Sequence, residues 1–265
     1  MTDNSQDSVY LPGLNALRFF AAFLVIITHI ELLKGQLGFS NSWKFLGQFN
    51  LGGLGVYFFF VLSGFLITYL LIHEKEKTGT IKIKAFYIRR LLRIWPLYYF
   101  ITLLAFFILP NFEMMEIPWL QQFYHSNFIV NLVLFLLMLP NLALALNPAI
   151  AHAGQLWSIG VEEQFYLIFP IIFLIIYYKF KNRIVLFLSL FLLISLFMAQ
   201  FGGNLTFEKP FIEYKLFFFN QPGFASYFLP IGRFFEFLFG SVSYLLTTKL
   251  KKITFSHKAL SYIGI

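Results

Sequence analysis

Apolar residues run along this chain in long blocks that short polar or basic stretches separate. A membrane core of roughly 30 Å needs about 20 apolar residues per helix. Applied to this sequence, that length predicts membrane segments near 14–33, 53–72, 95–109, 128–146, 163–178, 184–200 and 231–247. The pattern therefore predicts an all-α fold, a polytopic bundle of transmembrane helices.

The basic residues predict how this bundle is oriented. Residues 73–93, HEKEKTGTIKIKAFYIRRLLR, carry seven Lys and Arg against two Glu. Lys and Arg collect in cytoplasmic loops, so this stretch and the N-terminus are both predicted to be cytoplasmic, as are KFKNR (179–183) and KLKK (249–252). The net charge of +8 is interpreted as membrane topology, and no nucleic acid is predicted as a partner.

This topology does not allow the run 128–146 to cross the membrane once. A single crossing there would reverse the orientation of every later segment and place the predicted cytoplasmic loops on the other side. Either the run is a re-entrant or tilted pair of half-helices broken near LPNLALALNP, or the segmentation misses a crossing. Pro140 and Pro148 favour a break because neither can donate to a helical hydrogen-bond ladder. The region near 128–150 is therefore a candidate re-entrant region.

Composition agrees with a membrane protein and narrows the chemistry. The 265 residues are 59% hydrophobic and 12% charged and include 38 Phe, which a soluble fold of this length could not bury. The chain has no Cys, which excludes disulfides, thiol nucleophiles and Cys-based metal sites. The opening MTDNSQDSVY lacks the basic region that precedes the apolar region of a cleavable signal peptide. The first apolar run is therefore expected to stay as a membrane anchor. Without repeats or linkers, residues 1–265 are expected to form one membrane domain.

Two ionisable residues, Arg18 and His29, interrupt the first apolar segment. They are eleven positions apart, which places them on nearly one helix face and about 16 Å apart along the axis. A charge near the bilayer centre costs upward of about 2.5 kcal/mol, so such residues usually face a bundle interior or a wet cavity. The alternative is that Arg18 reaches the headgroups and His29 satisfies a neighbouring carbonyl.

Two further clusters carry candidate chemistry. Glu162 and Glu163 open an apolar segment, and because adjacent helical residues point about 100° apart, only one is expected to face the interior. For Glu163 a simple helix-start signal is an equal alternative. Arg90 and Arg93 lie three apart, a geometry suited to a phosphate-rich ligand, although ordinary cytoplasmic charge explains them about as well.

The remaining polar features favour structural roles. Arg233 and Glu236 are spaced i and i+3, and a local ion pair is the favoured interpretation. Small residues within 51–67, Ser63 among them, indicate close helix packing, and LSGF lacks the context of a nucleophile elbow. His152 falls in a polar loop and is expected to be solvated.

Five stretches together resemble the acyltransferase-3 family, the membrane-bound O-acyltransferases that modify bacterial cell-surface polysaccharides. The order and spacing of the family's motifs are matched by LPGLNALRFFAAFLVIITHI, GGLGVYFFFVLSGFLITYLL, FYIRRLLRIWPLYY, WSIGVEEQFYLIFP and GRFFEFLFG. These motifs span nearly all of the chain. The final KALSYIGI is similar to a run that precedes the family's last helix or two, so the C-terminal end is expected to be incomplete and the full fold to have about eight or more membrane segments.

The resemblance implies a multi-pass protein of the bacterial inner membrane that transfers an acyl group. The donor would be acyl-CoA, usually acetyl-CoA from the cytoplasm, and the acceptor a hydroxyl of a polysaccharide, lipopolysaccharide or other glycolipid, with membrane lipid as surroundings and no metal. By motif match the catalytic residues would be His29, Arg18 and Glu162. Arg90, Arg93 and Arg18 would bind the CoA. Supporting roles would fall to Glu163, Arg233, Glu236, Trp157 and Ser158.

In this hypothesis His29 acts either as general base on the acceptor hydroxyl or as the nucleophile that forms an acyl-imidazole. The strongest alternative is a secondary transporter or flippase in which His29, Arg18 and Glu162 form a proton or substrate path. Such proteins are typically built from repeats with broken helices in both halves, and this sequence has one candidate break. A third hypothesis is an inactive truncated remnant.

Overall fold

The computed structural model describes residues 13–36, 38–40, 42, 49–112, 127–146, 152–180, 183–201 and 233–263, and within them all regular structure is helical. The predicted all-α class is confirmed. In these ranges four helices are long and apolar enough to cross a membrane: 14–35, 51–78, 83–111 and 154–179. Two shorter apolar helices cover 184–196 and 234–248.

The described helices overlap the predicted apolar segments, but several of the helices extend beyond their segments. They are α1 (Leu14–Gln36), α2 (Leu51–Thr78), α3 (Ile83–Leu103), α4 (Phe128–Leu136), α5 (Pro140–Leu146), α6 (Trp157–Lys179), α7 (Ile184–Phe201) and α8 (Phe234–Ile263). Helix α3 continues into a π-helical turn, Leu104–Ile108, and a 3-10 turn, Leu109–Asn111. A 3-10 turn at Gly154–Leu156 leads into α6.

Helix α3 begins twelve residues before the predicted segment 95–109, so the basic cluster is part of the helix. Arginine is a good helix former, so these charges do not end the helix. Arg89 forms an ion pair with Glu74 across the α2–α3 turn at 3.5 Å, and Arg90 lies over the Phe86 ring of the preceding turn. The arginines therefore belong to a helical surface and not to a loop.

The predicted break in the run 128–146 is confirmed. Helix α4 ends at Leu136, and Pro140 is the first residue of α5, where its missing N–H costs no hydrogen bond. Two tyrosines of α3 supply donors for carbonyls at the end of α4: Tyr98 to Phe135 at 2.8 Å and Tyr99 to Leu136 at 3.0 Å. Pro148 lies outside the described residues.

The chain divides into two compact units between Leu62 and Ser63, a boundary inside α2. In the first unit, α1 meets the start of α2 where glycines allow close approach. A Cβ on Gly55 would lie 2.6 Å from the Ala21 carbonyl oxygen, and one on Gly52 would lie 2.8 Å from the Thr28 methyl group. Small residues thus hold the two helices together in this unit.

In the second unit, the rest of α2 contacts α8 with equally little space between backbones. A Cβ on Gly64 would overlap the backbone of Phe237, and Ser241 donates a hydrogen bond to the Gly64 carbonyl at 3.1 Å. Phe165 of α6 stacks on Phe237 with ring centroids 4.3 Å apart. Helix α6 is therefore held by aromatic packing on α8, and its polar second turn has a fixed position within this unit.

Candidate active site

Helix α6 carries three consecutive polar side chains, and each one contacts a different helix of the second unit. Successive helical residues point about 100° apart, so Glu162, Glu163 and Gln164 together cover more than half of the circumference. Because α6 begins at Trp157, these residues lie beyond its first turn. The interpretation of Glu163 as a helix-start signal is therefore wrong.

Glu162 receives two hydroxyl hydrogen bonds on a single carboxylate oxygen. Ser63 Oγ from α2 and Tyr166 Oη from the next turn of α6 both donate to Glu162 Oε1. No described residue donates to Glu162 Oε2. The two donors fix the orientation of the carboxylate, and the second oxygen remains available to a substrate or a proton.

The other two polar residues of α6 are bonded to α3 and α5. Trp95 Nε1 donates to Glu163 Oε2 at 3.2 Å, while Glu163 Oε1 is buried and has no hydrogen-bond partner among the described residues. Gln164 and Asn141 exchange amide hydrogen bonds, the shorter at 2.8 Å. Both glutamates therefore contact other helices, and the expectation that only one faces the interior is wrong.

Arg90 lies beside this carboxylate cluster and is held by aromatic rings. Its guanidinium carbon is 4.8 Å from the centre of the Tyr166 ring and 5.6 Å from that of Phe86. Within the part of the chain that the structure describes, its N–H groups make no hydrogen bond or ion pair. Five N–H donors on a stacked guanidinium suit the binding of an anion such as phosphate.

The three neighbouring arginines of α3 thus differ in what they contact. Arg89 is paired with Glu74, whereas Arg93 is exposed and makes no ion pair to a described residue. The two arginines predicted for phosphate binding, Arg90 and Arg93, are therefore the two that form no ion pair with a described carboxylate.

In the first unit, Arg18 and His29 both lie in the continuous helix α1. The prediction that they share one helix face requires such a continuous helix. Arg18 is half-buried and His29 is exposed. His29 Nδ1 lies 2.8 Å from the carbonyl oxygen of Val25, one turn earlier. A carbonyl oxygen only accepts, so Nδ1 is the donor in this contact. The carbonyl contact that was the alternative for His29 is therefore present.

The predicted pair Arg233 and Glu236 forms an ion pair of 3.0 Å with both side chains buried. Trp157 and Ser158 are the first residues of α6, and Ser158 Oγ donates to the Gln155 carbonyl at 3.3 Å. Among the described residues, no group of His, Cys, Asp or Glu is arranged so that it could hold a metal ion.

Sequence reasoning missed Ser63, Tyr166 and Trp95 as members of this cluster. Tyr166 could have been found, since it follows Glu162 by four positions and so lies on the same face. For Ser63 the sequence pattern indicates only close helix packing. Its contact with Glu162 joins residues 99 positions apart, and spacing along the chain carries no such signal.

A multi-helix membrane protein with oriented carboxylate, imidazole and guanidinium groups in apolar helices has the chemical groups of a membrane-embedded enzyme. The sequence profile described as "Acyltransferase domain", that of the acyltransferase-3 family, matches residues 11–264. The chain belongs to this family, which confirms the family predicted from the five motifs.

Two of the curated relatives come from Staphylococcus aureus. The O-acetyltransferase OatA of strain NCTC 8325 / PS 47 is 36% identical over 180 residues, which cover 66% of this chain and 26% of OatA. A second protein, from strain COL and provisionally named an O-acetyltransferase, is 34% identical over 182 residues with the same shares. The chain thus spans about a quarter of the length of these relatives. No solved structure matches the chain.

Proposed function

We propose that this chain is a multi-pass O-acyltransferase of the bacterial inner membrane. It transfers an acetyl group from cytoplasmic acetyl-CoA to a hydroxyl of a cell-surface glycan or glycolipid. The family and the O-acetyltransferase names of the relatives support acyl transfer. One observation carries the proposal: Tyr166 contacts both Arg90 and Glu162. The guanidinium of Arg90, whose N–H donors are unused, lies over the Tyr166 ring, and the Tyr166 hydroxyl donates to the oriented carboxylate of Glu162.

The arginines of α3 are proposed to bind the phosphates of the donor. Arg90 and Arg93 are three positions apart on one helix, so their guanidinium groups can reach phosphates of one CoA molecule. Guanidinium binds phosphate oxygens through paired N–H donors, and neither arginine forms an ion pair with a described residue. Arg18 is proposed to assist by contributing a further positive charge.

The reaction replaces the thioester by an oxygen ester. The acceptor hydroxyl attacks the acetyl carbonyl carbon, a C–O bond forms, the C–S bond breaks and CoA leaves as the thiol after taking up a proton. His29 Nε2 is proposed to remove the hydroxyl proton, or to attack the carbonyl first and form an acetyl-imidazole that the hydroxyl then cleaves. In both routes Nε2 reacts while the Val25 carbonyl holds Nδ1–H.

Glu162 is proposed to act through Oε2, the oxygen without a described donor. It would accept a hydrogen bond from the acceptor hydroxyl or from a protonated catalytic group. Either function requires an oxygen that is fixed in direction, which the two donors on Oε1 provide.

Inside-out membrane vesicles from cells that produce the protein test this assignment. Radiolabelled acetyl-CoA is supplied outside the vesicles, and label in the glycan fraction is followed with time. Glu162→Gln keeps the size of the side chain and removes its charge, so we expect the maximal rate to fall by about 100-fold or more. Glu76→Gln, an exposed glutamate of α2, is the matched control and should transfer at the wild-type rate. Unchanged transfer by Glu162→Gln at equal protein level would refute the proposed role.

A further inference from the structure

We propose that Tyr166 is a positioning residue that serves both parts of this site, its ring orienting Arg90 for the donor and its hydroxyl orienting Glu162 for the chemistry. The inference rests on the proposed function and goes beyond it, because Tyr166 is assigned two separate tasks by two separate contacts.

The ring of Tyr166 holds Arg90 in a way that keeps its hydrogen-bond donors free. The guanidinium carbon lies 4.8 Å from the ring centre, within the range of a cation–π contact. An ion pair with a neighbouring carboxylate would also hold the arginine, but it would use the same N–H groups and neutralise the same charge that a phosphate needs. Contacts with the Tyr166 and Phe86 rings hold the guanidinium without using its N–H donors, which remain for a ligand.

The hydroxyl of Tyr166 determines which oxygen of Glu162 is available. It donates to Oε1, the oxygen that Ser63 also contacts, and both donors are buried. With both hydroxyls on Oε1, Oε2 is the oxygen directed away from them. Removing one donor would let the carboxylate rotate, so that either oxygen could take either position.

Tyr166 can hold Arg90 and Glu162 in a fixed position relative to each other. Its side chain is 4% exposed, and its neighbour Phe165 is stacked between aromatic rings of α6 and α8. The backbone under Tyr166 is therefore held by packing. The ring face of Tyr166 contacts Arg90, and its hydroxyl contacts Glu162. A rigid Tyr166 therefore fixes the distance between the donor-binding arginine and Oε2 of Glu162.

These contacts can be separated by substitution. Tyr166→Phe retains the ring and removes the hydroxyl, so we expect the maximal rate to fall roughly tenfold, with KM for acetyl-CoA unchanged, since one hydrogen bond to a charged group is lost. Ser63→Ala removes the other donor to the same oxygen and should reproduce this effect. Tyr166→Leu removes the ring as well, and KM should then rise about tenfold in addition.

The experiment measures maximal rate and KM for radiolabelled acetyl-CoA in inside-out vesicles that carry equal amounts of each full-length variant. Tyr177→Phe makes the same change on the same helix, outside this cluster, and is expected to leave both constants at their wild-type values. Arg90→Gln is included as a reference for loss of donor binding, with the expectation that it raises KM and that Tyr166→Leu resembles it.

The outcomes separate this inference from the function on which it rests. If Glu162→Gln and Arg90→Gln behave like wild type, the proposed function fails. If both are impaired while Tyr166→Phe and Ser63→Ala keep the wild-type rate, the role of Tyr166 is refuted. A rise in KM for Tyr166→Phe equal to that for Arg90→Gln would also refute it, because the ring alone should hold the arginine. If Tyr166→Leu does not accumulate in the membrane, the Tyr166→Phe and Ser63→Ala pair decides.

Discussion

Substitution of Gly64 by alanine is expected to weaken the contact between α2 and α8. The added methyl group would overlap backbone atoms of Phe237, and a backbone cannot move aside as a flexible side chain can. The helices would have to separate, which would also lengthen the hydrogen bond from Ser241 to the Gly64 carbonyl, now 3.1 Å. Gly64→Ala is therefore predicted to be destabilising although alanine is the better helix former.

The magnitude follows from three opposing effects. Overpacking at a tight contact costs about 1–3 kcal/mol. Weakening one hydrogen bond costs about 1 kcal/mol. Replacing glycine by alanine within a helix stabilises the helix by about 0.5–1 kcal/mol. The net loss is about 2 kcal/mol, which for a domain of this size lowers the melting temperature by roughly 4–8 °C.

Thermal unfolding of the detergent-purified protein, followed by size-exclusion chromatography with fluorescence detection, measures this shift. Gly154→Ala is the matched control, because a Cβ there meets nothing within 4 Å, and it should melt at or above the wild-type temperature. Ser241→Ala isolates the hydrogen bond and should account for less than half of the loss. A Gly64→Ala variant that melts at the wild-type temperature would show that the two backbones do not approach as described.

Three further predictions address the charged residues. His29→Ala should lower acetyl transfer in vesicles by at least about 100-fold with the amount of membrane protein unchanged, and full activity would remove His29 from the mechanism. Arg93→Gln should raise KM for acetyl-CoA more than Arg89→Gln does, since only the latter arginine is already paired; equal effects in the vesicle assay would argue for general charge. Arg233→Met should destabilise the protein by about 3–5 kcal/mol because it leaves Glu236 buried without its ion pair, and the double variant Arg233→Met with Glu236→Leu should recover most of the melting temperature.

Hydropathy was sufficient to locate the helices of this chain but not all of their limits. The break before Pro140 could be predicted because proline lacks the N–H that a continuous helix would use. The start of α3 could not, because the arginines between Ile83 and Trp95 interrupt the apolar pattern there. Their charges are accommodated by Glu74 and by aromatic rings, and those contacts depend on the folded chain.

The candidate site shows the same division between local and long-range information. Residue types and spacing identified Arg90 and Glu162 separately, each on its own helix. The structure adds that Tyr166 contacts both and that Ser63 shares the carboxylate oxygen. Helical periodicity tells which residues share a face, but not which helix packs against that face, so partners from distant parts of the chain could not be assigned.

The three polar residues at 162–164 also limit how α6 can change in evolution. Their partners lie on α2, α3 and α5, so the rotation of α6 about its axis is set from three directions at once. A substitution releases one of these partners and leaves the others in place. A one-residue deletion within α6 would turn the following part of the helix by about 100° and separate these side chains from the aromatic residues that anchor it. Natural variation in this segment should therefore change residues while preserving helix length.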